Sequence, residues 1–134
     1  MADGTCVQVF QTSGRIKKLV ITNTASVDTQ VFLKPALEQT IEGWLMKLVT
    51  DPGATAPVDN YDITITDDEG VDVLQGVGMN RDEATTEEAN IVYAGTSDHP
   101  VVSLDDTLNW NMDVGDDNDA NSAVVVATLY WFCP

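Results

Sequence analysis

Leu108-Asn109-Trp110-Asn111-Met112-Asp113-Val114 alternates apolar and polar side chains at every step. A period of two belongs to an extended strand with one face on a core, because successive Cβ atoms point to opposite sides of a pleated sheet. The same alternation sets Ile63 and Ile65 against Asp62, Thr64 and Thr66, and Val7 and Val9 against Gln8, so both stretches read as half-buried strands. Val124–Phe132 is rich in β-branched and aromatic residues and reads as a closing strand. Thr12-Ser13-Gly14, Asp51-Pro52-Gly53, Asp67-Asp68-Glu69-Gly70 and Gly115-Asp116-Asp117-Asn118-Asp119 supply turn chemistry between these segments.

Two further stretches are read as strands, Ile16–Thr24 followed by Val31 and Phe32, and residues 40–50. In the second, Ile41, Trp44, Leu45 and Leu48 fit either a helical stripe or a strand with a bulge. Gly43 weakens a helix by about 1 kcal/mol relative to Ala, and the flanking β-branched residues tilt the choice to strand. A short helix is admitted only over residues 80–89, where Arg81-Asp82-Glu83-Ala84-Thr85-Thr86-Glu87-Glu88-Ala89 has the composition of an exposed helical turn or an acidic loop. The expected fold is all-β: a single compact antiparallel β-sandwich or β-barrel-like domain over residues 1–134, with at most one short helix.

The chain has 134 residues, enough for one core, since a domain of this size buries about two-thirds of its unfolded surface. Its 22 Asp and Glu against 6 Lys and Arg give a formal charge of −16. That balance excludes binding through a nucleic-acid backbone, which needs clustered cations to release counterions, and it disfavours anionic membranes. Residues 1–50 carry a net charge of +1 and residues 51–134 a net −17, so one surface is expected near neutral and another densely carboxylated. Self-repulsion predicts a melting temperature that rises with salt, and a flat response from low to molar NaCl would contradict it. The polar start Met1-Ala2-Asp3-Gly4-Thr5 does not resemble a secretion signal, and the longest apolar run, 123–132, is half the length of a membrane-spanning helix of about twenty residues. Cys6 and Cys133 would form a bridge only if the terminal strands were neighbours; two reduced, buried thiols are the plainer expectation.

No stretch has the pattern of a catalytic site. Ser97-Asp98-His99 holds the letters of a hydrolase triad, but adjacent residues diverge and cannot align nucleophile, base and acid, so it reads as a turn into Pro100. Gly76-Val77-Gly78-Met79-Asn80-Arg81 lacks the third glycine and the βαβ setting of a dinucleotide fingerprint, and reads as an irregular loop. With 22 acids, a glycosidase-like carboxylate pair has no specificity, and one histidine with two cysteines is too few for zinc. Asp117, Asp119 and Asn121 match the start of a calcium loop, but Ser122 stands where its glycine belongs and Thr128 where its bidentate Glu belongs. A solvated turn is the expectation there, with Ca2+ as the alternative. Trp44, Trp110 and Trp131 are read as core residues, with subunit contact as the alternative.

The run Ala56-Pro57-Val58-Asp59-Asn60-Tyr61-Asp62-Ile63-Thr64-Ile65-Thr66-Asp67-Asp68-Glu69-Gly70-Val71-Asp72-Val73-Leu74, followed by Gly76 and Arg81, resembles a stretch found in small all-β structural proteins of tailed bacteriophages. The likeness covers about half the chain and rests on turns and alternation. The extreme acidity and the terminal cysteines depart from that group's pattern. The resemblance implies a non-enzymatic virion component. A charge of −16 is repelled by packaged DNA and suits the outer surface of the particle. The expectation is a capsid decoration or cement protein, a trimer, holding the major capsid protein through the less acidic N-terminal third with Arg15, Lys17, Lys18 and Lys34, and its own copies through apolar strand residues. A neck, tail or fibre-associated adaptor, or a calcium- or carbohydrate-binding β-module, are the alternatives.

Overall fold

Strands form all the regular structure in the described part of the computed structural model, residues 4–25, 32–53, 55, 60–102, 107–113 and 123–134. They are β1 (Thr5–Ser13), β2 (Ile16–Thr24), β3 (Gly43–Pro52), β4 (Asp62–Thr66), β5 (Glu87–Asn90), β6 (Val101–Val102), β7 (Asn109–Asp113) and β8 (Val124–Phe132). The fold is all-β and antiparallel. The large sheet runs β1-β2-β8-β3-β5, with β6 also pairing β3, and β4 and β7 make a two-stranded second sheet.

The first hairpin turns through Gly14 and Arg15, with Ser13 opposite Ile16. Gly14 has φ 59° while Arg15 is not in the left-handed region, the combination a type II′ turn requires of its first central residue. The final strand then inserts between β2 and β3, so the chain's last segment occupies the sheet's centre.

Burial follows the alternation in β4 and β7. Ile63 faces Met112 and Ile65 faces Trp110 across the small sheet, and all four are buried. They join Leu19 and Ile21 of β2, Leu45 and Leu48 of β3, and Val125, Leu129 and Trp131 of β8 in one hydrophobic cluster between the sheets. In β3 the register shifts between Leu45 and Lys47, and this bulge turns both Leu45 and Leu48 inward although they are three residues apart. That is the physical source of the helix-like spacing in the sequence.

β1 reverses its expected orientation. Val7 and Val9 are exposed, while Gln8 faces the other side, where its amide donates to Ala36 O at 3.1 Å and accepts from Glu38 N–H at 2.9 Å. The reason is non-local: β2 buries Leu19, Ile21 and Asn23, and the register puts Phe10, Gln8 and Cys6 opposite them. A one-residue difference in phase exchanges the faces of a strand. The helix admitted near residues 80–89 does not form. Asp82 accepts from the N–H of Ala84 at 2.6 Å and of Thr85 at 3.2 Å, a local turn that competes with helix, and Glu87–Asn90 pairs with β3. Those bonds hold the Asp82 carboxyl below its ordinary range.

The same use of acid recurs through this half of the chain. Asp72 accepts from the backbone N–H of Ile65 (3.1 Å), Leu74 (3.0 Å) and Gly76 (3.0 Å), and Asp67 from those of Glu69 and Val71. Asp62 accepts from Asn80 N–H at 2.8 Å. These aspartates organise the loop that follows β4 rather than merely solvating it. Asp72→Ala would strip the acceptor from three N–H groups and is expected to cost about 2–3 kcal/mol in denaturant unfolding, with Asp72→Asn in between. A loss under about 0.5 kcal/mol for Asp72→Ala would mean that water replaces the carboxylate.

Candidate functional site

One face of the large sheet carries the core; the other is rich in apolar side chains and, among the described residues, is flanked beside Tyr130 by the 92–99 segment. β8 shows why this is unusual. An antiparallel sheet with one solvated face alternates apolar and polar residues, but β8 buries Val125, Ala127, Leu129 and Trp131 inward and presents Val124, Val126, Thr128, Tyr130 and Phe132 outward. Only Thr128 among those five outward residues is conventionally polar.

The register extends this across the sheet in rows. Ser13, Ile16, Phe132, Trp44 and Val101 form one row, and Gln11, Lys18, Tyr130, Lys47 and Asn90 the next. Then come Val9, Val20, Thr128, Val49 and Glu88, followed by Val7, Thr22, Val126 and Asp51. Val101 is 61% exposed, Val7 54% and Val9 47%. Of the chain's 22 carboxylates, those rows hold two, Asp51 and Glu88. They also hold two of its six cations, so the face is locally neutral on a protein of charge −16.

Tyr130 is the centre of the polar row. The Lys47 ammonium lies 4.8 Å from its ring centroid and that of Lys18 5.9 Å, on neighbouring strands. Lys47 also donates to Glu88 at 2.7 Å, which raises its pKa. Such cation–ring contacts contribute about 0.5–1 kcal/mol at exposed sites. Beside Tyr130 an open groove of about 580 Å³ is lined by Ile16, Met46, Lys47, Asn90, Val92, Ser97 and His99. His99 donates through Nδ1 to Ile91 O at 2.7 Å; Tyr93 N–H to Asp98 O closes a loop whose turn falls at Ala94 and Gly95, earlier than the Ser97-Asp98-His99 turn expected from sequence.

The residues singled out from sequence separate into groups. Arg15, at the hairpin tip, lies near Lys17 and Lys18 at one end of the large sheet; the Lys17 ammonium donates to Thr12 Oγ1 at 2.7 Å and Gly14 O at 2.8 Å. Lys34 is exposed on the coil after β2, away from that end. Trp44 is 39% exposed and packs beside Phe132, ring centroids 6.0 Å apart. Trp110 and Trp131 belong to the core, at 0% and 2% exposure, which removes both from the candidate contact surface: the inward phase of β7 and β8 seals them between the sheets. Asp117, Asp119 and Asn121 lie outside the described residues, as does Val31. Among the described residues no three His, Cys, Asp or Glu converge as for a metal ion.

Cys6 and Cys133 are free thiols. Their strands both flank β2 instead of pairing, and Cys6 stands opposite Asn23 while Cys133 N–H donates to Arg15 O, roughly 25 Å away along that strand. Burial pushes the Cys6 thiol up, with Glu38 adding to the effect.

In the core, Tyr61 is 1% exposed, and its hydroxyl has no partner in hydrogen-bond geometry, nor has that of nearby Thr50. Burial raises the Tyr61 phenol above its ordinary value, and Thr50 offsets this only in part. The unfolded chain would release this proton first, so this contribution to stability is full below pH of about 10 and is lost as pH climbs toward the folded pKa. The melting temperature is expected to fall as pH rises above the ordinary phenol value of about 10, and less steeply in Tyr61→Phe. Equal slopes in the two proteins would assign the alkaline loss elsewhere.

The sequence could have pointed to the apolar face through β8, whose run of apolar residues exceeds what one buried face needs. Val7 and Val9 were legible as apolar but not as exposed. Comparison of this chain with family models, with curated proteins and with solved structures finds no match.

Proposed function

We propose that this protein acts by docking rather than by catalysis, as a non-enzymatic accessory of a tailed-phage virion seated on the outside of the capsid shell. The observation that carries the docking reading is the segregation of charge. The paired rows of the outer sheet face hold two of the 22 carboxylates, on a chain of net charge −16. Such a charge keeps copies apart until one specific face is buried. The virion setting comes from the resemblance of residues 56–81, and the outer location from repulsion between a −16 protein and packaged DNA. The hairpin end, with Arg15 and Lys17, is the part best suited to a shell subunit of opposite charge.

Quantitative mass spectrometry of purified particles tests this. A ratio to the major capsid protein near one is expected for decoration of the shell. A handful of copies would move the protein to the neck or tail, and absence from particles would overturn the virion reading.

A further inference from the structure

We infer that the outer face of the large sheet is closed by a second copy of this chain, packed face to face about a two-fold axis that crosses the strands at Val20, Thr128 and Val49. This deepens the docking reading by naming what one face receives.

Three observations select this occupant. The first is size. Four strands of nine or ten residues, with the four-residue β5 and two-residue β6 in a fifth lane, about 4.8 Å apart at about 3.3 Å per residue, present a footprint of roughly 650 Å², somewhat under the about 800 Å² per partner of a stable interface. The second is shape: an apolar, β-branched sheet face is complemented by another such face about 10 Å away, as in a sandwich. The third is charge. A face that binds its own copy must be self-complementary, and this one carries Lys18 and Lys47 against Asp51 and Glu88.

The register places those charges productively for one orientation. An axis along the strands would set Lys18 over Lys47 of the second copy, since both occupy the Tyr130 row on either side of β8. An axis across the strands at the Thr128 row exchanges the rows on either side of it. Lys47 then faces Asp51 of the second copy, Tyr130 faces Val126, and Phe132 faces Val124, large against small. Thr128 meets its own equivalent near the axis. Glu88 lies in the axis row at the β5 edge, so it stands opposite its own equivalent at the rim, where each carboxylate is offset by Lys47 of its own chain at 2.7 Å. The arrangement is a pair, in contrast to the trimer expected from sequence.

Sedimentation equilibrium of the full chain at 1–100 µM tests it, with a mass twice 14.5 kDa expected at the upper end. Thr128→Lys sets two like charges at the axis and is expected to weaken association at least 100-fold, with unchanged circular dichroism. Lys47→Asp and Asp51→Lys are each expected to weaken it at least tenfold, and the double exchange to restore it. A monomer at 100 µM, a trimer, or a dimer indifferent to Thr128→Lys would overturn the proposal, and failure of the double exchange to restore association would overturn this orientation. The outcome is separable from the virion reading: a dimer missing from particles defeats only that reading, and a monomer found on them defeats only this inference.

Discussion

Gly43→Ala is expected to lower stability by about 3–5 kcal/mol, or roughly 10–15 °C in melting temperature. Two causes act at once. Gly43 opens β3 with φ 117°, a conformation L side chains rarely adopt, and a Cβ there would run into the carbonyl oxygen of Phe132. That oxygen belongs to β8, held by pairing on both of its sides, so it cannot step back without disturbing the central strand. Gly14→Ala separates the two causes, because Gly14 also has positive φ (59°) but nothing lies within 4 Å of an added Cβ. Only backbone strain remains, about 1 kcal/mol. Urea unfolding of both variants checks the difference, and equal losses would show that the Phe132 carbonyl yields.

The second large effect is expected at Trp110. Its ring is fully buried opposite Ile65, and Trp110→Ala would leave a cavity that the sandwich cannot fill from either sheet. A loss of about 3–5 kcal/mol follows, against a total of about 5–15 kcal/mol for a domain. Trp110→Phe should cost much less than its lost volume implies. The indole Nε1–H is buried without a partner, and phenylalanine removes that unsatisfied donor along with the lost contacts. Unfolding followed by circular dichroism would test both variants. A Trp110→Phe as damaging as Trp110→Ala would mean that the ring edge makes a polar contact of real value.

Both predictions arise where sequence and structure agree. Trp110 sits in strict alternation with Asn109 and Asn111, and a half-buried strand is the local consequence of that pattern. Gly43 lies in the stretch whose spacing fitted either a helix or a bulged strand, and the structure supplies the bulge. The outer face of the large sheet was only partly legible. β8 announced itself as apolar on both sides, yet nothing local shows that Lys18, Tyr130 and Lys47, distant in sequence, form one row.

What the sequence by itself determined is the part that short-range chemistry controls. Period-two alternation set the strand character of β4 and β7 and their inward faces, the turn residues at Gly14 and Asp67–Gly70 marked chain reversals, and composition placed the acid in the C-terminal part, whereas Asp51 and Pro52, read as a turn, continue β3 opposite Val126 and Val125. Only the tertiary structure decided which side of β1 is buried, since pairing with the committed face of β2 turned Gln8 inward and left Val7 and Val9 outside. It also decided that Asp62, Asp67 and Asp72 tie backbone together, and that the outer rows of the large sheet hold Asp51 and Glu88 as their carboxylates. The physical reason is the same in each case. Register between strands far apart in the chain is chosen by the summed burial of the whole sheet, and a shift of one residue would exchange every face it specifies.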